Sequence, residues 1–261
     1  MAKIGIVGFG FVGQAVEHIF KGKDNSLLIF DKFKTKDTLE DLVRESEFIF
    51  ICLPTPNKGK RIDLSIIDQT LAKIAKQEES RGKIVIIKST VIPGTTKKYA
   101  KKYKNLSFVF CPEFLREATF LKDALKQDRI VIGSDDHNTR DKVHQLFRKR
   151  FPRTKIFLSD STSAEVVKYM SNTFLSMKVI FANEIFDLCQ KLEVNYPKIA
   201  AMVGSDKRIG EGHLGVTKER GFGGKCFPYF DPDNNDFPPV SRYEFKPNKN
   251  YYGTFGETDW L

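Results

Sequence analysis

The chain has 261 residues, 41% of them hydrophobic and 29% charged, and carries a formal net charge of +10 at pH 7. That length holds one large or two small domains with real cores, and the basic excess favours anionic partners such as phosphates and nucleotides. Much of the excess lies in "KKYAKKYKN" (97–105) and "RKRFPRTK" (148–155), which read as solvated faces. No helix-turn-helix, zinc-finger or RNP-like pattern accompanies them, so no nucleic-acid partner is expected.

No run of about 18 apolar residues occurs, so no membrane span is expected. The N-terminal "MAKIGIVGFGFVG" does not fit a signal peptide with a cleavage site. The four cysteines, Cys52, Cys111, Cys189 and Cys226, show no CxxC spacing. That argues against a zinc site and a disulfide framework, and it suits a reducing, cytoplasmic setting with no metal.

In chain order, "KIGIVGFG" is a short strand broken by glycines, "VGQAVEHIFKG" has helical spacing, and "SLLIFD" is a second strand closed by Asp31. "EFIFICLPTP" (47–56), "KIVIIKST" (83–90), "LSFVFCPE" (106–113) and "RIVIGSDD" (129–136) continue the strands, with amphipathic helices in "DLSIIDQTLAKIAKQ" and "RDKVHQLFRKRF". The alternation predicts an α/β fold, a doubly wound Rossmann-type parallel sheet with its ligand at the carboxyl ends of the strands. In that setting Gly8, Gly10 and Gly13 form G-x-G-x-x-G between a strand and a helix. The first permits the turn, the second lets a pyrophosphate approach, and the third lets helix and strand pack. Asp31 stands where an acid hydrogen-bonds an adenosine ribose 2′-hydroxyl, which favours NAD over NADP, against the pull of Lys32 and Lys34.

Three later loops fall on the same sheet edge: "LPTP" (53–56), "STVIPGTT" (89–96) and "CPEFLREA" (111–118). A helix starting after Pro112 puts Glu113 and Glu117 on one face beside Arg116; a solvent-facing helix start with acidic N-terminal charge is the plainer alternative. From about residue 161 a long helical stretch follows, with Ser163 as its cap and apolar residues around most of it. Lys168 and Asn172 share a face there, i and i+4. The lysine reads either as a snorkelling or ion-paired residue or, with the amide beside it, as a stabiliser of a developing oxyanion.

"GFGFVG", "LPTP", "STVIPGT", "CPEFLREA", "VVKYMSNTFLSMKVIFANEI", "DKRIG" and "GFGGKCF" occur in the order seen in the UDP-glucose/GDP-mannose dehydrogenase family, which the chain resembles over roughly residues 3–228. The resemblance implies oxidation of a nucleotide sugar's primary alcohol to a carboxylate by two NAD molecules, with UDP-glucose to UDP-glucuronate, a polysaccharide precursor, as the leading case. It implies Cys226 as the nucleophile and Lys168 and Asn172 as oxyanion stabilisers. Glu117 would serve proton transfer, and Thr90 would help hold a water. Around the cofactor it implies Gly8, Phe9, Gly10, Phe11, Val12 and Gly13, with Asp31, Lys32, Thr55, Thr90 and Glu117. Around the sugar nucleotide it implies Glu113, Phe114, Leu115 and Arg116, then Lys168 and Asn172, then Phe222 and Gly223. Lys225 and Lys168 are candidates for lowering the thiol pKa.

The expected organisation is an NAD-binding domain over 1–158, a helical substrate-side region with the cysteine loop over 159–228, and an irregular tail over 229–261. Where the family continues its cysteine loop C-F-P-K-D, this chain has Tyr229 and Phe230, followed by Asp231, and Pro228, Pro232, Pro238 and Pro239 oppose a continuing helix. The family's C-terminal domain is not found in the sequence. Two readings stay open: an enzyme whose substrate site is finished by the tail or a second subunit, which leaves room for a homodimer, and a truncated, inactive dinucleotide-binding or interaction protein.

Overall fold

The computed structural model describes residues 1–217 apart from 23, 35–36 and 59–60. In chain order the elements are β1 (Ala2–Val7), α1 (Phe11–Phe20), β2 (Asn25–Phe30), α2 (Leu39–Glu45), β3 (Phe48–Ile51), the two-residue β4 (Asn57–Lys58) and β5 (Arg61–Ile62), α3 (Ser65–Ala75), β6 (Ile84–Ile87), α4 (Thr95–Lys102), β7 (Ser107–Phe110), α5 (Phe120–Leu125), β8 (Arg129–Gly133), α6 (His137–Arg150), β9 (Lys155–Ser159), α7 (Ser161–Lys191) and α8 (Tyr196–Gly204). They form two compact units that divide after Phe174, within α7.

The first unit is built on a seven-stranded sheet in the order β2-β1-β3-β6-β7-β8-β9. Its central strands are apolar on both sides, as strands covered by helices on both faces must be. Ile4, Ile6, Phe48, Phe50, Ile84, Ile86, Ile130 and Ile132 point into one core with α1 and α6, where the Phe147 ring lies edge-on to Phe20 at 5.4 Å. The alternate residues Ile49, Ile51, Val85, Ile87, Phe108 and Phe110 fill the other core with Leu42, Leu71 and Tyr99 of α2, α3 and α4. Each fully buried Ile, Leu or Phe adds roughly 1.5–3 kcal/mol of transfer free energy, so both faces of the sheet contribute to its stability.

The expected all-parallel sheet holds for β2, β1, β3, β6 and β7. β8 then runs antiparallel to β7, with Phe110 opposite Gly133, and β9 runs parallel to β8. The two strands meet only at their last residues. The chain leaves β7, passes through α5 beside α1, and comes back along β8 to the carboxyl end of β7. This reversal needs no full crossover, and it delivers the start of α7 near the loops that follow the parallel strands.

The basic segment 148–155 is a solvated face as expected, with Lys149, Arg150, Arg153 and Lys155 exposed. Arg148–Arg150 close α6, and Lys155 opens the half-exposed edge strand β9. α7 begins at Ser161, two residues before the expected cap. Its first turn is held by Asp160, whose carboxylate accepts the Ser163 N–H at 2.8 Å and its hydroxyl at 2.5 Å. The helix carries polar residues on its buried side, and Lys168 is ion-paired, one of the readings its sequence left open. Ser161, Glu165, Lys168, Asn172 and Ser176 are buried, whereas Val166, Met170 and Phe174 are exposed. Spacings of three and four make the buried polar residues one face.

The second unit holds the rest of α7 and α8 around Ala182, Cys189 and Tyr196. Asn195 caps α8 by accepting the Lys198 N–H at 3.0 Å. Lys178 donates to the Ile209 carbonyl at 2.9 Å and Tyr196 to the Leu214 carbonyl at 2.7 Å, which fixes the "DKRIG" loop and its continuation.

Candidate functional site

In an open α/β sheet the ligand crevice lies where neighbouring strands send their connections to opposite faces. Here β2 and β3 flank β1 on its two sides, so the crevice opens between the loops after β1 and β3. Gly8 sits at that point: a Cβ there would lie 2.6 Å from the Cys52 carbonyl oxygen. Gly13 is as constrained, since its Cβ would meet the Gly8 carbonyl oxygen at 2.0 Å, which forces α1 against the loop. Gly10 has no atom within 4 Å of a Cβ position and faces open space. α1 starts there without a side-chain cap and without an acid in its first turn. The positive end of its dipole suits a pyrophosphate. Phe9 and Val12 are half-buried in the same turn, and Phe11 packs edge-on against Phe120 of α5 at 5.1 Å.

Asp31 follows β2 and closes the loop from the other side. One carboxylate oxygen accepts the Phe9 N–H at 2.7 Å and the other the Phe33 N–H at 3.0 Å. Partial burial pushes its carboxyl up, but these N–H donors and the nearby Lys34 charge outweigh it and hold the group below the usual aspartate range. Lys34 reaches the Phe9 carbonyl at 3.0 Å. Lys32 is exposed and lies over the Phe33 ring. These residues fit an NAD adenosine half: an open glycine turn, a helix start without a side-chain cap and an acid that follows the second strand.

The next loops are tied together. Buried Thr55, in the loop after β3, donates to the Thr90 carbonyl at 2.9 Å, and Ser89 donates to the Leu53 carbonyl at 2.7 Å. After β7 the segment is not helical as far as Arg116, and a 3-10 turn opens only at Glu117. Glu113 and Glu117 therefore do not share a helix face. The reason is local: Glu113 turns back to accept the Leu115 N–H at 2.6 Å, and its other oxygen takes the Lys168 ammonium at 3.0 Å. Arg116 faces away into a two-bond pair with Asp123, which also accepts from Thr119, and the guanidinium beside Asp123 holds that carboxyl far below the ordinary range.

Lys168 is the centre of this edge. Its buried ammonium donates to both the carbonyl, at 2.6 Å, and the carboxylate of Glu113, and lies 5.5 Å from the Phe114 ring centroid. Arg129 lies 4.2 Å from that ring's centroid. Taking both charges out of water is costly, and the direct ion pair, the Glu113 carbonyl and the Leu115 N–H offset that cost. Asn172 is buried one turn further along α7. The structure thus brings Gly8–Gly13, Asp31, Thr55, Thr90, Glu113 and Lys168 to the carboxyl edge of one sheet. Cys226, Phe222, Gly223 and Lys225 lie outside the described residues, as does the side chain of Glu117.

Several residues at the same edge have no counterpart among the sequence-based expectations. Lys88, at the end of β6, is buried and donates to the Pro112 carbonyl at 3.2 Å. Glu165 is fully buried one turn before Lys168. Its position at i−3 from Lys168 is the one sequence signal that could have found it. Cys52 and Cys111 are also buried here; burial pushes the Cys52 thiol up to about 12 and the Cys111 thiol up as well, so neither is a nucleophile. Among the described residues no cluster of three or more metal-ligating side chains occurs, and no described helix is long and apolar enough to cross a membrane.

Comparison with known proteins agrees with this geometry. Residues 29–151 match the model of the UDP-glucose/GDP-mannose dehydrogenase family, NAD binding domain, and residues 162–233 match the central domain of the same family. The chain belongs to the UDP-glucose/GDP-mannose dehydrogenase family. It is 34% identical over 203 residues to a UDP-glucose 6-dehydrogenase of Rickettsia conorii, an alignment covering 76% of this chain and 46% of that protein. With a UDP-glucose 6-dehydrogenase of Bacillus subtilis it shares 37% identity over 192 residues, 70% of this chain and 42% of that one. A solved UDP-glucose dehydrogenase from the hyperthermophilic archaeon Pyrobaculum islandicum superposes with a TM-score of 0.75 at 28% identity, over 88% of this chain and 62% of that chain. The chain therefore spans about half the length of the curated relatives it matches.

Proposed function

We propose that this chain acts as an NAD-dependent nucleotide-sugar 6-dehydrogenase, taking UDP-glucose to UDP-glucuronate in two oxidations, with residues 1–158 serving the cofactor and 159–228 the sugar. The observation that carries the reading is the buried Lys168 ammonium, held by Glu113 on the same sheet edge as the open glycine loop. A fixed cation beside a dinucleotide site is what a developing alkoxide needs.

NAD supplies the hydride acceptor for both steps. In the first oxidation the C6 alcohol loses its hydroxyl proton to a base, Glu117 in this reading, acting through a water at Thr90, and loses a hydride from carbon. The Cys226 thiolate then adds to the aldehyde to give a thiohemiacetal, whose oxyanion Lys168 and Asn172 stabilise. A second hydride leaves, a thioester forms, and water cleaves it to the carboxylate and the free thiol. One sugar, two NAD and one water thus give one carboxylate, two NADH and three protons. Lys168 fits its part because Glu113 fixes its ammonium through two bonds at 2.6 and 3.0 Å, and an ammonium has a third N–H donor to offer an oxyanion.

The first test is NADH formation on mixing the chain with NAD and UDP-glucose, then with GDP-mannose. Sustained NADH with one sugar nucleotide supports the reading and names the substrate; absence of NADH with both overturns it. A second reading, cofactor binding without completed turnover, rests on Tyr229 and Phe230 standing where the family has Lys and Asp. It expects one stoichiometric burst with the sugar left on Cys226.

A further inference from the structure

Glu165 is the charged member of the buried α7 line to which the reaction proposed above assigns no part. Its carboxylate is fully buried, and its three bonds go to one short segment. One oxygen accepts the Gly94 N–H at 2.5 Å; the other accepts the Thr96 N–H at 2.8 Å and the Thr96 hydroxyl at 2.6 Å. Among the described residues no ion pair answers its charge. Burying a carboxylate is an expensive way to cap α4, since a local Ser, Thr or Asp at the cap position does the same. Here that position is Gly94, with φ of 93° and no side-chain cap, and the cap comes from 71 residues further along the chain.

The segment it holds is the end of the β6–α4 loop, whose beginning is tied to the loop after β3 through Ser89 and Thr90. Asp31 marks the adenosine side of the site, beyond β1 at the β2 edge, and the glycine loop after β1 marks the pyrophosphate. With β3 and β6 on the opposite side of β1, an extended dinucleotide carries its nicotinamide half over the loops 52–56 and 88–94. One helical turn beyond Glu165, Lys168 holds the loop after β7 through Glu113. The same helix face therefore clamps two adjacent loops at fixed spacing.

We infer that Glu165 is a positioning residue that sets the β6–α4 loop beneath the nicotinamide half of the cofactor, in register with the Lys168 ammonium. The inference rests on the NAD-binding reading above. It predicts that loosening the clamp is felt by the nicotinamide half and not by the adenosine half. Glu165→Gln keeps the shape but turns an NH2 toward a backbone N–H; Thr96→Val removes one donor only.

The test is calorimetric titration of wild type, Glu165→Gln and Thr96→Val with NAD and with ADP-ribose, together with the fluorescence of bound NADH. Losing acceptors for a buried donor set should cut NAD affinity relative to ADP-ribose about tenfold in Glu165→Gln and about threefold in Thr96→Val. ADP-ribose affinity stays within about twofold and the bound-NADH spectrum moves toward that of free NADH. If Glu165→Gln does not fold, Thr96→Val decides alone. Variants with the wild-type NAD to ADP-ribose ratio and spectrum overturn this inference and leave the cofactor reading standing. A wild-type chain that binds neither ligand overturns both.

Discussion

Gly10 and Gly13 belong to one motif, yet the geometry assigns them opposite mutational effects. A Cβ at position 13 would lie 2.0 Å from the Gly8 carbonyl oxygen and 3.0 Å from its carbon. Ordinary contact lies beyond 3.4 Å, so backbone rather than a rotamer must move by more than 1 Å. Overpacking of this kind costs about 1–3 kcal/mol or more. At about 2–4 °C per kcal/mol for a unit of this size, Gly13→Ala should lower Tm by roughly 6–12 °C if the cost reaches about 3 kcal/mol. At position 10 nothing lies within 4 Å and φ is −79°, an ordinary value. Gly10→Ala should leave Tm unchanged or slightly raised, because it only restricts the unfolded chain, by about 0.4–1 kcal/mol. Its methyl group would nevertheless stand where the pyrophosphate approaches, so NAD affinity should fall at least about tenfold. The assay is thermal denaturation of both variants beside NAD titration. A Gly10→Ala variant that binds NAD like wild type would refute the placement of the cofactor on this loop, and a Gly13→Ala variant of unchanged Tm would refute the packing argument.

Lys168→Met should destabilise the first unit by about 3–5 kcal/mol, because it strands the Glu113 carboxylate; adding Glu113→Gln should recover a large part of that, as urea midpoints of the double-mutant cycle will show. Asp123 has its folded carboxyl depressed by Arg116, so it contributes stability above the ordinary aspartate value of 3.8 that is lost as pH falls through the folded value. The urea-midpoint gap between wild type and Asp123→Asn should accordingly be full at pH 7 and close as the acid limit is approached; a gap independent of pH would refute the pairing. Cys52, Cys111 and Cys189 are buried, so iodoacetamide should leave these three unmodified in the folded chain, as peptide mapping will report. Rapid native labelling of Cys52 would contradict its burial.

The cofactor half of the site is legible in the sequence because its signals are local. Strand, G-x-G-x-x-G, helix, second strand and Asp31 follow one another within 31 residues, and each has its own steric or electrostatic reason. The substrate side is less legible because its contacts are long-range. Lys168 and Glu113 are 55 residues apart, Glu165 and Gly94 are 71 apart, and no periodicity links either pair. The shared face of Lys168 and Asn172 is legible in α7, but what that face meets is not: the loops at the sheet edge offer carbonyls, N–H groups and a carboxylate for polar side chains to satisfy. The segment after Pro112 misleads because one tertiary ion pair outweighs a weak helical preference. The reversal of β8 is invisible for the same reason: a strand's direction is set by where its connection lands, and composition does not carry that.

The central claim is that Lys168 and Cys226 serve a four-electron oxidation on an NAD-binding sheet. The most direct test counts NADH released per UDP-glucose by wild type, Lys168→Met and Cys226→Ser, each first shown to bind NAD. The account predicts about two NADH per sugar for wild type, and no carboxylate product from either variant. Wild-type chain that binds NAD and UDP-glucose yet forms no NADH, or a Cys226→Ser variant that still releases UDP-glucuronate, would contradict it.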